Sequence, residues 1–480
     1  MPGIAGRARR RRMNWGFWKV VGVAALLAAG VGCTKKRSEP SWVDAMKAET
    51  KVEGRAQNLI LVTIDTLRAD ALGAYGGEWK TPNLDAFAEQ SLVFEKAFAT
   101  APFTGPSHAS ILTSRHPSKH GVIFNGHRVS GKTSPDSVFI SEHLAAQGFA
   151  TAAIISSPSP TRKRYGFGRG FDAFVENCPA AHGEQASDGQ CLVDKTRAWL
   201  EKRPKDERFF VWLHTFDPHF PYTGPAEMYE RQGLDPEEWI VTRKKELPKM
   251  SDERVRKAYL ADVYEADHYF GELMAALADL GLLDSTVIAV TSDHGEYLGE
   301  HGRYGHSLLY DEVLHVPFLI FSPGAKPGRR PELVSTIDLA PTALELLGVP
   351  SMPSAQGRSV LKPGADETAP PVYAEWRHFR VVTAKDSAKT GDFQLGVRTQ
   401  REKLIVDWLF PKDGSMLFDL DRDPDELENR FLSHPDEVAP LNETLQQHTK
   451  SDLDPQHLER SGIEIDAQTM EMLQALGYVE

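Results

Sequence analysis

The chain has 480 residues, of which 41% are hydrophobic and 25% charged, a balance that allows a large buried core. Its net charge of −12 argues against nucleic acid as a partner, which calls for a basic surface. Length alone suggests two or three domains.

Residues 1–33 read as a leader of the lipoprotein type. A basic run at 7–12 and Lys19 precede an apolar stretch at 20–32, too short to span a bilayer but suited to a signal peptide. Gly30, Val31 and Gly32 run into Cys33, which resembles a bacterial lipoprotein cleavage site, with glycine where leucine is usual. Met13 is an alternative start, and an uncleaved short anchor the alternative to cleavage. Both predict an exported protein of the bacterial cell envelope, held to the membrane by a lipid at Cys33 or by the anchor, and facing periplasm or exterior. Residues 34–56 are mostly polar and read as a tether.

From residue 57 to about 362, short apolar runs alternate with helical patterns. This is the rhythm of an α/β domain with a mostly parallel sheet flanked by helices. Strands are predicted at 59–64, 150–155, 209–214, 286–291 and 318–321. Helices are predicted at 83–90, 106–115, 140–147, 193–202, 259–280 and 339–347. Cys178 and Cys191 are the cysteines left after Cys33, and in an oxidising compartment they favour a disulfide. The segment 222–251, rich in charge, proline and glycine, reads as a surface lid. Residues 363–480 form a C-terminal subdomain, with short strands of a small antiparallel sheet at 370–373, 393–398, 403–406 and 416–420.

The chemistry concentrates in a few places. Pro106 resembles a first-turn proline, so Thr104 is expected just before a helix N-terminus, where backbone N–H groups favour an anion. Asp65, His214 to His219, and the pair Asp293–His294 fall at the C-terminal ends of predicted strands, the edge where open α/β sheets bind ligands.

These motifs resemble the sulfatase family of the alkaline phosphatase superfamily. They stand in family order: Ile64–Asp65–Thr66–Leu67–Arg68, then Thr104 with Thr113–Ser114–Arg115 and His120–Gly121. Asp217–Pro218–His219, Asp293–His294–Gly295–Glu296, Gly305–His306 with Val316–Pro317, and Phe418–Asp419–Leu420 follow. The resemblance spans about residues 57–480 and implies an alkaline-phosphatase-like fold with a C-terminal subdomain beside the cleft. It implies a divalent metal ion, zinc, manganese or calcium, on Asp65, Asp293 and His294 with Thr104 touching the same ion. Sulfatases oxidise a cysteine or serine at the Thr104 position to formylglycine and carry arginine where His108 stands. Threonine cannot make that aldehyde, so no formylglycine is expected and the resemblance shifts to superfamily phosphodiesterases that use threonine directly. Ile155–Ser156–Ser157–Pro158 replaces a lysine–histidine motif, and His306 stands where a substrate lysine is common. His219 and His306 are candidates to protonate the leaving group or, with Asp217, to hold a second ion. His214 and His301 read as structural, and Arg68 and Asp70 as braces.

The expected function is metal-dependent hydrolysis of a sulfate or phosphate ester on a small molecule, glycan or lipid, with Thr104 as nucleophile and His108, His219 and His306 as catalytic partners. The rival readings are a phosphoryl-group transferase acting on envelope glycans or lipids, and an inactive binding protein of the same fold.

Overall fold

The computed structural model describes residues 40–47, 56–79, 81–123, 133–157, 165–176, 178, 189–362, 369–379, 391–408 and 410–449. The leader and Cys33 lie outside the described residues. An eight-stranded sheet contains β1 (Asn58–Ile64), β2 (Leu92–Phe98), β3 (Ala150–Ile155), β4 (Ala173–Glu176), β5 (Phe209–Thr215), β6 (Thr286–Ser292), β9 (Phe318–Phe321) and β10 (Gly328–Ser335). Between β6 and β9 a small ribbon pairs β7 (Tyr297–Leu298) with β8 (Tyr304–Gly305). The sheet order is β10-β2-β9-β6-β1-β5-β3-β4. Seven strands are parallel, and β9 runs antiparallel to both β2 and β6.

The central strands bury both faces, as continuous apolar runs do in parallel sheets. Ile60, Val62 and Ile64 of β1 join the core beneath helices Pro82–Glu89, Gly189–Lys202 and Asp252–Asp279. Leu59 and Leu61 face the opposite core, with helices Thr104–Thr113, Ile140–Ala146 and Leu339–Leu347. The same alternation repeats in β5 and β6.

β2, β4 and β10 were absent from the sequence-based strands. Glu95 and Lys96 interrupt β2, charged residues open β10, and β4 is short and mostly half-exposed. The long helix begins at Asp252 rather than 259, because Ser251 accepts a hydrogen bond from Arg254 N at 3.3 Å and caps a charged first turn. The stretch read as a polar tether includes helix Ser41–Lys47, whose Trp42 and Val43 are 2% and 1% exposed in the core. The lid segment is partly core: Tyr222 and Val241 exchange backbone hydrogen bonds, and Tyr229 and Leu247 are buried.

A second, antiparallel sheet holds β11 (Val372–Phe379), β12 (Gly391–Arg398), β13 (Glu402–Asp407) and β14 (Met416–Asp419). Trp376, Ile405 and Phe418 share an apolar cluster with Phe98, Leu309 and Val316 of the main body. Cys178 and Cys191 are disulfide-bonded, with Cα atoms 5.6 Å apart. Closing a loop of this size contributes about 3 kcal/mol.

Candidate active site

Register assembles the site. Ile64 of β1 lies opposite Ser292 of β6 and Thr215 of β5, so the residues just beyond, Asp65 and Asp293, emerge side by side. Thr66 takes a left-handed turn (φ 56°) and its N–H donates to Asp293 Oδ1 at 3.2 Å. His294 N–H donates to the same oxygen at 3.0 Å. One ligand atom each from Asp65, Asp293 and His294 lies within 4.8 Å of the other two, and all three residues are buried.

Thr104 is the first residue of helix Thr104–Thr113, so it sits inside the helix and not before it. Phe103, extended at φ −145° and ψ 143°, occupies the cap position. Pro106 is thus the third residue; first-turn proline is tolerated there because that N–H is unpaired anyway. Thr104 Oγ1 lies 3.5 Å from His294 Nε2, and Ser107 Oγ donates to the Asp293 carbonyl, tying the helix to the β6 end.

Five imidazoles surround this centre in one pattern. Each places Nδ1 against a backbone carbonyl: His294 on Gly295 (3.0 Å), His306 on Pro102 (2.8 Å), His219 on Phe220 (2.6 Å), His108 on Thr104 (2.8 Å) and His214 on Thr63 (3.2 Å). A carbonyl only accepts, so Nδ1 carries the proton and Nε2 is left as a lone-pair donor. Burial keeps the rings neutral: the pKa values of His294 and His219 are pushed down to about 4, and that of His306 falls well below its ordinary value.

The carboxylates carry the complementary signature. Both oxygens of Asp65 and Oδ2 of Asp293 are buried without a hydrogen-bond partner. His214 Nε2, also buried and unpartnered, faces Asp65 Oδ2 at 3.5 Å. Burial first, and then the charges of Asp293, Glu296 and Asp217, raise the Asp65 pKa well above the carboxylate range. Lone pairs converging from two carboxylates and an imidazole suit a divalent cation, which would reverse that shift. The donors present therefore fit the ion that the sulfatase resemblance implies.

His108 is fully buried beneath the site. Its Nε2 meets Thr63 Oγ1 at 3.1 Å and its Nδ1 lies 3.6 Å from Asp293 Oδ2, so it backs a carboxylate instead of facing the cleft. His219 and His306 line the half-buried rim, with ring centroids 5.5 Å apart, and the His306 ring lies 4.3 Å from that of His294. The described residues show no ion-sized ligand cluster built on His219, His306 and Asp217. His301 pairs with Glu312 at 3.2 Å, while Arg68 grips Asp70 and Glu300 at 2.7 and 2.8 Å as a brace.

Four residues near the centre escaped the sequence reading in these roles. His214, read as structural, presents Nε2 to Asp65. Thr63 is its hydroxyl neighbour. Glu296, its pKa pushed up to about 7 by burial, accepts from Tyr222 Oη at 2.7 Å. Lys244, from the lid segment, brings Nζ so close to Gly305 that a Cβ there would lie 2.6 Å away. Its charge lowers the pKa values of His219 and His306. The histidine and the threonine follow from β1–β5 register, but nothing in a charge-rich loop singles out one lysine.

An α/β sheet presenting carboxylates, an imidazole and a helix-borne hydroxyl at one edge defines a hydrolase of the alkaline-phosphatase-like class. The sulfatase family model matches residues 57–349, and that for the N-sulphoglucosamine sulphohydrolase C-terminal region matches 299–454. The chain belongs to the sulfatase family and is an ester-cleaving hydrolase. It is 25% identical to an arylsulfatase of Clostridium perfringens over 78% of this chain and 90% of the relative. It is 26% identical to an N-acetylglucosamine-6-O-sulfatase of Bacteroides thetaiotaomicron, covering 79% and 84%. The crystal structure of the phosphonate monoester hydrolase of Agrobacterium radiobacter superposes with a TM-score of 0.67 at 20% identity, covering 83% of this chain and 96% of the other.

Proposed function

We propose that the protein is a metal-dependent hydrolase that uses the unmodified Thr104 hydroxyl as nucleophile, with a phosphate ester or diester favoured over a sulfate ester. The observation that carries this is the Thr104 oxygen, 3.5 Å from His294 Nε2, in a cluster where both Asp65 oxygens and Asp293 Oδ2 are buried without a hydrogen-bond partner. Asp65, Asp293 and His294 would hold the divalent ion, which when bound supplies charge neutralisation and a lowered hydroxyl pKa.

The remaining steps belong to this chain's own residues. Thr104 Oγ attacks phosphorus in line, and its proton passes to an Nε2 lone pair at the rim, that of His306 or His219. The departing oxygen leaves on the opposite side of phosphorus, out of reach of that nitrogen, and takes its proton from a water there, which becomes hydroxide. The hydroxide attacks the Thr104 ester from that side, and the imidazolium returns its proton to the Thr104 oxygen as it leaves. Phe103 and Trp376, stacked at 4.1 Å, wall the rim beside Thr104 and exclude water from one side.

The substrate is a small-molecule, glycan or lipid ester, and the N-acetylglucosamine-6-O-sulfatase among the relatives supports a sugar ester. The leader supports export and lipid attachment at Cys33, and the Cys178–Cys191 bond is in keeping with an oxidising compartment. Among the described residues no helix is long and apolar enough to cross a membrane.

The test is a panel of aryl sulfate, phosphate monoester and phosphate diester substrates with defined metals, run on wild type and Thr104→Ala. The phosphate substrates should turn over and the variant should lose turnover while keeping its ion. Equal rates in variant and parent remove Thr104 from the reaction.

A further inference from the structure

Another group of ligating side chains lies outside this centre, where the main body meets the antiparallel sheet. His116 follows helix Thr104–Thr113, Glu375 sits on β11, and His448 lies in the last turn of helix Pro435–Thr449. We propose that His116, Glu375 and His448 form a second divalent-metal site of the zinc type, which fastens these three segments together.

Two imidazoles and one carboxylate are a donor set that zinc accepts, with a water in the fourth place. One ligand atom from each residue lies within 4.8 Å of the other two. Ligand bonds of 2.0–2.1 Å set tetrahedral edges of about 3.3 Å, so closure asks for side-chain shifts on the order of 1 Å. His116 is 5% exposed, and its Nδ1 is buried with no hydrogen-bond partner. A bare buried nitrogen of this kind is costly unless something fills its lone pair or takes its proton.

The carboxylate is held but not saturated. Glu375 Oε1 accepts from Ser118 N at 3.4 Å and Ser118 Oγ at 2.8 Å, and Arg377 Nη2 lies 2.8 Å from Oε2. A carboxylate offers about four acceptor positions, so one remains for an ion. Tyr373 lies flat on His448, with centroids 3.8 Å apart and planes at 3°, while His116 meets that ring at 4.4 Å and 83°. Tyr373 thus covers one face of His448, and one ring nitrogen of His448 lies within 4.8 Å of a ligand atom of His116 and of Glu375.

Such an ion would also reach the active site indirectly. Residues alternate across a strand, so fixing Glu375 fixes the opposite-facing Trp376, which stacks on Phe103 next to Thr104. The inference does not depend on the reaction assigned to Thr104.

The full chain would be stripped with chelator, titrated with Zn²⁺ alone and assayed for bound metal by mass spectrometry. Wild type should take two equivalents and His448→Ala one. Asp293→Asn/His294→Ala, which leaves the second cluster untouched, should still take one, and chelator should lower its melting temperature by several degrees. Glu375→Gln should repeat the loss seen in His448→Ala. A folded Asp293→Asn/His294→Ala protein that binds no zinc overturns the site, as does unchanged zinc content when His448→Ala is added to it. Should that double variant not fold, equal zinc content in wild type and Glu375→Gln has the same force.

Discussion

Replacing Thr63 with valine tests how the carboxylates are held from behind. The Thr63 hydroxyl is fully buried and meets four groups: Trp212 Nε1–H at 3.0 Å, His108 Nε2 at 3.1 Å, His214 Nδ1 at 3.0 Å and the Leu213 carbonyl at 3.3 Å. Valine keeps the shape and removes the oxygen. His214 retains the Thr63 carbonyl at 3.2 Å, but the indole N–H and His108 Nε2 lose their partner. Two stranded buried polar groups at 1–3 kcal/mol each predict a loss of about 4 kcal/mol. Thr63→Ser keeps the hydroxyl and forfeits a methyl, which costs about 1 kcal/mol. Denaturant midpoints at constant m-value measure both. Adding Trp212→Phe to Thr63→Val should cost less than it does in wild type, because the indole donor is already orphaned. Equal midpoints for Thr63→Val and Thr63→Ser would refute the hydroxyl's bridging role. His108 and His214 lie 3.6 and 3.5 Å from Asp293 and Asp65, so the valine variant should also bind the ion proposed for Asp65, Asp293 and His294 more weakly.

Other outcomes follow from the same geometry. Asp293→Asn and His294→Ala should each lose one bound ion together with turnover, read by metal analysis beside the substrate panel; an active variant carrying its full complement contradicts the ligand set. His120 is buried, with Nε2 2.9 Å from Ser110 Oγ and Nδ1 accepting from Val122 N at 3.1 Å, and burial pushes its pKa down to about 3. The unfolded chain binds a proton there below about pH 6.5 and the folded chain does not, so stability is complete above 6.5 and falls as pH drops towards 3. The slope is about 1.4 kcal/mol per pH unit, and His120→Gln should flatten it by that amount in urea titrations at pH 7, 6 and 5. Lys244→Ala should raise KM for anionic esters several-fold at low salt with little change in kcat, and the effect should fade near 0.5 M salt. A kcat loss independent of salt would instead assign Lys244 to the chemistry.

Much of this architecture was legible because β1, β5 and β6 are apolar runs that end in polar residues, and parallel register carries those endings to one edge. Asp65, Asp293 and His294 follow from that pattern. The direction of β9 does not, because Phe318–Phe321 reads the same in either orientation. β2 hides behind Glu95 and Lys96, which reach solvent near the strand's middle. The helix start was set two residues late by Pro106, which is equally at home as first or third residue. His108, expected as a catalytic partner, stands four residues after Thr104, and that spacing brings it under Thr104 without saying which way its ring turns.

The carbonyl anchoring of the five imidazoles has a consequence for how this centre can vary. Main chain sets which nitrogen of His294, His306 and His219 is available, with the Thr63 hydroxyl sharing that task at His108 and His214, and main-chain position is governed by loop length and turn geometry. Residue swaps around the rim should therefore leave proton placement intact, whereas a one-residue deletion in the loop through Pro102 or Phe220 would scramble it. Anyone retargeting this scaffold to new esters has freedom in sequence and almost none in spacing.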